Sequence, residues 1–100
     1  MAELLFKEDV FGEMRQIDHG AEGKIFSLNS NRERVYKQFH EEVRGNKAQI
    51  ANKRNKIVAV KDLALSAIVP IHDLYYEKVI SPDNFHGYTM KKIGGGTYGI

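Results

Sequence analysis

The stretch Gln16-Ile17-Asp18-His19-Gly20-Ala21-Glu22-Gly23-Lys24-Ile25-Phe26 constrains this chain more than any other. Met14 to Asp18 and Lys24 to Leu28 have strand-like content, and the glycines between them suit a tight reversal, so the pair predicts a β-hairpin. Asn29-Ser30-Asn31-Arg32 is a cluster of turn formers, after which Arg34 to Phe39 alternates as a half-buried strand does. Side chains two apart share a strand face. Val35, Lys37 and Phe39 therefore fall on one side, Tyr36 and Gln38 on the other. A lysine is thus presented beside an apolar residue, one strand away from paired glycines.

Beyond His40 the period changes. Apolar residues at Val43, Ile50, Ala51, Ile57 and Val58 recur at sevens with neighbours, which is one stripe of a helix running from Val43 to Val58. Gly45 limits the start of that helix, because glycine inside a helix costs about 1 kcal/mol relative to alanine. Arg44, Lys47, Lys53, Arg54 and Lys56 fall largely off the stripe, which predicts a solvated basic face. Ile68 to Tyr76 reads as a strand with Pro70 near its start, where a missing N–H is best tolerated. Ser81-Pro82-Asp83-Asn84 is a turn, Phe85 to Met90 a last strand, and Gly94-Gly95-Gly96 the end of regular structure. Ala2 to Phe11, with Leu4, Leu5, Phe6, Val10 and Phe11 as its apolar members, suits either a helical turn or an added strand.

Composition narrows the function classes. One hundred residues, 42% hydrophobic and 28% charged, suit one domain with a modest core. A net charge of +2 gives little pull on polyanions. The absence of cysteine excludes disulfides and thiolate metal sites, and suits a reducing cytoplasm. The opening residues lack the basic and long apolar regions of a signal peptide, and no run reaches membrane-spanning length, so no membrane partner is expected. His19, His40, His72 and His86 show no ligand spacing, so no metal site is expected either.

Three strands, one helix and two strands, with glycines in the first hairpin and a lysine on the third strand, resemble the N-terminal lobe of the protein kinase fold. The resemblance covers residues 14–96, leaving 1–13 as a leader and 97–100 as a tail. It implies an α+β fold: a twisted antiparallel five-stranded sheet with one main helix. Of the family's three loop glycines, Gly20 and Gly23 match the second and third, and Asp18 stands at the first. Glycine lets backbone amides approach phosphate oxygens there. By the same resemblance Ile25 and Val35 cover the adenine from two sides, Lys37 reaches the phosphates, Met90 lies at the back of the pocket, and the backbone of Lys91 to Ile93 pairs with the base. The wording of Val35-Tyr36-Lys37-Gln38-Phe39-His40 and Gly87-Tyr88-Thr89-Met90 looks closest to bacterial or phage-type Ser/Thr kinase-like domains.

One departure bears on chemistry. Kinases orient the phosphate lysine with a helix glutamate. Here the helix offers Gln49, which accepts a hydrogen bond but brings no charge, and Glu41 and Glu42 follow Lys37 too closely to lie within the helix. The motifs that carry the catalytic Asp and Asn, and the Asp-Phe-Gly that holds magnesium, are absent, so no catalytic residue is assigned. The resemblance implies an ATP-binding lobe that transfers no phosphate alone, with magnesium only in a complete two-lobed protein and a protein hydroxyl as the ultimate substrate. The alternative is a pseudokinase-like interaction module that meets a protein partner or a second copy through an exposed apolar face of Ile25, Val35 and Met90. The Lys53-Arg54-Asn55-Lys56 cluster alone favours nucleic acid, and a solvated helix face explains it better.

Overall fold

Three successive strands, β2 (Met14–His19), β3 (Gly23–Leu28) and β4 (Arg34–Phe39), form an antiparallel meander on one side of the sheet. The computed structural model describes residues 2–62 and 71–92. Gly20, Ala21 and Glu22 close the first hairpin, and a bulge between Gln16 and Asp18 shifts its register. Strand β6 (Phe85–Lys91) then lies antiparallel against β4, with Val35 opposite Met90 and Lys37 opposite Tyr88. Strand β5 (Ile71–Tyr76) pairs with the far side of β6, after a connection whose Ser81-Pro82-Asp83-Asn84 turn includes a short 3-10 segment. Pro70 and Ile68, expected at the start of this strand, lie outside the described residues.

The sheet has six strands and is mixed, which corrects the expectation of five antiparallel ones. Ala2–Leu5 forms β1, the outermost strand, parallel to β5 with Ala2 opposite Asp73 and Leu5 opposite Tyr76. Side chains hold it as much as the ladder does. Glu3 accepts from Tyr76 at 2.6 Å and from Arg54 at 2.8 Å, and the Ala2 amide donates to Asp73 at 3.1 Å. The order across the sheet is β1-β5-β6-β4-β3-β2.

The helix expected over Val43 to Val58 is two helices, α1 (Glu41–Gly45) and α2 (Lys47–Asp62). Gly45 ends the first, Asn46 turns extended, and the Asn46 side chain accepts from the Gln49 amide at 3.1 Å, capping the second. Val43, Ile50 and Ile57, seven apart, are all buried. They pack on the face of the sheet that carries Ile25, Val35 and Met90. On the other face, Phe11, Leu28, Tyr36 and Tyr75 form a smaller core under the segment between β1 and β2, with Phe6 packed against it. The alternation read from Arg34 to Phe39 thus separates two cores: Val35 and Phe39 belong to one, Tyr36 to the other.

Candidate functional site

The tip of the glycine hairpin is pinned by backbone. Gly20 donates its amide to Gly23 at 2.8 Å, and the His40 amide donates to the Glu22 carbonyl at 2.8 Å. The His40 ring nitrogen Nε2 lies 2.8 Å from the Gly20 carbonyl, which can only accept, so Nε2 carries the hydrogen. Gly23 is where β3 comes closest to β4. A Cβ there would fall inside 3.0 Å of the Gln38 carbonyl oxygen, so glycine is required by strand spacing, whereas a Cβ at Gly20 would meet nothing within 4 Å.

Lys37 points from β4 to the helix side of the sheet and is only 9% exposed. It lines a cavity of about 170 Å³ with Glu22 of the hairpin tip, Phe39, Tyr88, and Lys53, Lys56 and Ile57 of α2. The ammonium of Lys37 stands 5.5 Å from the Phe39 ring centroid, within range of a cation–π attraction. Burial draws the Lys37 pKa below its ordinary 10.5; the Glu22 carboxylate opposes that shift and the Lys53 cation adds to it. Glu22 is ion-paired to Lys53 at 2.7 Å, and this hydrogen-bonded pairing holds the Glu22 carboxyl below its usual range.

Tyr88 supplies the other unusual group. It is fully buried directly opposite Lys37, and its hydroxyl has no hydrogen-bond partner among the described residues. Three ammonium groups against one carboxylate leave the cavity with the net positive charge that suits an oxyanion. Its volume encloses a phosphate-sized group and falls short of the roughly 300 Å³ at which ordinary small-molecule pockets begin.

The residues singled out from the sequence are distributed unevenly around this cavity. Gly20 and Gly23 bracket the turn that brings Glu22 to it, and Lys37 lines it. Ile25, Val35 and Met90 are core residues, 4%, 0% and 0% exposed, so the exposed apolar face expected of them does not exist. The physical reason is that Ile50 and Ile57 of α2 are buried in the same cluster. Gln49 is exposed and does not line the cavity. Lys91 is exposed at the end of β6 in a separate groove with Arg34 and Lys92, and Ile93 lies outside the described residues.

Lys53, Lys56, Glu22 and Tyr88 were not read as site residues from the sequence. The charge pattern groups Lys53 with the solvated side chains, yet it stands three residues after Ile50 and four before Ile57, on the same helix face. That spacing was the available signal. Its neighbour Arg54 is also drawn inward, to Glu3 and the Tyr76 hydroxyl. Glu22 sits in a turn, where no periodicity marks a side chain's direction. Among the described residues no three His, Asp or Glu side chains gather as a metal site, and no helix is long and apolar enough to cross a membrane. No family model matches the sequence, and no curated protein or solved structure matches it.

Proposed function

We propose that this chain is the nucleotide-clamping lobe of a kinase-like protein, gripping phosphate through Lys37 under the Gly20-to-Gly23 hairpin and transferring none by itself. The observation that carries the reading is the cavity where Lys37, Lys53 and Lys56 converge beside the hairpin tip, with Tyr88 in its wall. The order of three antiparallel strands, a helical segment and an antiparallel strand pair, with Lys37 on the third strand of that set, supports it as well. Because Ile25, Val35 and Met90 are packed against α2, the enclosed contacts go to phosphate, and the base adds little to affinity.

Titration of the chain with ATP and with adenosine at low ionic strength tests this. ATP should bind at least about tenfold more tightly than adenosine, since charge-assisted hydrogen bonds contribute about 1.5–3 kcal/mol each. Lys37→Met keeps the apolar stem, removes a buried charge, and should weaken ATP by about tenfold or more with no loss of thermal stability. Equal affinity for adenosine, or an unaltered Lys37→Met variant, overturns the reading.

A further inference from the structure

We infer that Glu22 is a built-in gate of the Lys37 cavity: its carboxylate occupies the place of a ligand oxyanion on Lys53 and is displaced when a phosphate-bearing ligand enters. The inference rests on reading that cavity as a phosphate site.

Geometry puts Glu22 at the mouth. Its side chain is 49% exposed while that of Lys53 is 19% exposed, so the carboxylate lies on the solvent side of the 2.7 Å pair. Its position is set by the main chain, because the Glu22 carbonyl accepts from the His40 amide and the flanking glycines bond to each other across the turn. A carboxylate and a phosphate oxygen approach an ammonium in the same way. Glu22 therefore neutralises part of a three-lysine cluster that would otherwise repel itself, and holds the hairpin tip against α2 until a stronger anion replaces it.

The exchange is favourable for a multiply charged ligand. A half-exposed ion pair is weak and screened by salt, so it yields readily. The entering group gains Lys37, Lys53 and Lys56 together, whereas Glu22 is paired with Lys53 alone among these. Displaced, the Glu22 side chain has open solvent on its exposed side. A carboxylate that merely oriented Lys37 would behave oppositely, since its removal would weaken binding.

The test is calorimetric titration of the whole chain with tripolyphosphate, at low and at high salt, for the wild type, Glu22→Gln, Glu13→Gln and Lys37→Met. Glu13 precedes β2, at the opposite end of that strand from the hairpin tip, so Glu13→Gln makes the same charge change away from the cavity. Glu22→Gln should tighten binding about three- to five-fold at low salt, the range set by the strength of an exposed pair, with a smaller gain at high salt. Glu13→Gln should leave affinity unchanged and Lys37→Met should lose it. Lys37-dependent binding that Glu22→Gln leaves unchanged or weakens, or that Glu13→Gln strengthens equally, overturns the gate alone. Absence of binding in every variant overturns the phosphate reading and the gate with it.

Discussion

Gly87→Ala is expected to destabilise the protein by about 3 kcal/mol, at the upper end of what overpacking a core position costs. Gly87 opposes Gln38 in the β4–β6 ladder, near the middle of the six-stranded sheet. A Cβ built there would stand 2.5 Å from the Tyr36 hydroxyl oxygen and 2.7 Å from the ring carbon that bears it, and inside 3.0 Å of the Lys37 carbonyl oxygen. Neither neighbour has room to retreat. Tyr36 is fully buried and T-shaped against Tyr75, with the ring of Phe11 tilted 4.9 Å from its own, and the Lys37 carbonyl belongs to a strand bonded on both sides. The sheet must open at the point where β4 presents Lys37. Thermal unfolding should show a fall of about 12 °C or more, since about 1 kcal/mol corresponds to about 4–8 °C in a domain of this size. Gly20→Ala is the control, because a Cβ there meets nothing within 4 Å and should shift stability by under about 0.5 kcal/mol. A Gly87→Ala protein that melts within a few degrees of the wild type would mean that β4 and β6 separate easily.

That requirement at Gly87 could not be read from the sequence, and the reason generalises. Local patterns named the meander well: Arg34 to Phe39 is a strand with the expected bounds, and the hairpin strands differ from expectation by one residue each. They also named Val43, Ile50 and Ile57 as one buried stripe. What they left open, including whether Ala2 to Phe11 adds a strand, depends on partners distant along the chain. Ala2–Leu5 becomes a strand only because β5, some seventy residues later, offers a parallel edge together with Tyr76 and Asp73 to bond its side chains and terminus. Four exposed residues carry no alternation that would announce such a pairing. The candidate site divides in the same way. Lys37 was legible because alternation fixes the face of a strand residue. Its carboxylate neighbour comes from a turn, Glu22, instead of the helix position held by Gln49, and only the folded hairpin brings it there.

Acidification is the second large effect expected, and it acts through His86. This residue is 3% exposed, stacked on Phe6 with ring centroids 4.0 Å apart. Its Nε2 lies 3.3 Å from a Glu77 carboxylate oxygen that Arg44 also engages, and its Nδ1 lies 2.5 Å from the Tyr36 hydroxyl. The Tyr36 hydroxyl can donate to Nδ1 of the neutral ring, while Nε2 stands at ion-pair distance from Glu77. Burial first, then the Arg44 cation, lowers the His86 pKa from 6.5 to about 3. Between those values the unfolded chain binds a proton that the folded chain refuses, so stability is constant above about pH 6.5 and falls as pH drops through the window. The slope approaches about 1.36 kcal/mol per pH unit, and the full loss is on the order of 5 kcal/mol. Urea unfolding at pH 7 and pH 5 should therefore differ by about 1–2 kcal/mol in the wild type. His86→Gln cannot take up a proton and should show no such fall; a wild type equally stable at both pH values would mean that His86 is not held neutral. Carboxylates with lowered pKa values, Glu3 and Glu22, titrate below 4.5 and so do not imitate the effect in this range. Acid protonates a lysine and so cannot discharge Lys37, and an anion affinity lost between pH 6.5 and 5 and retained by His86→Gln would trace to β6, the strand that carries both His86 and Tyr88.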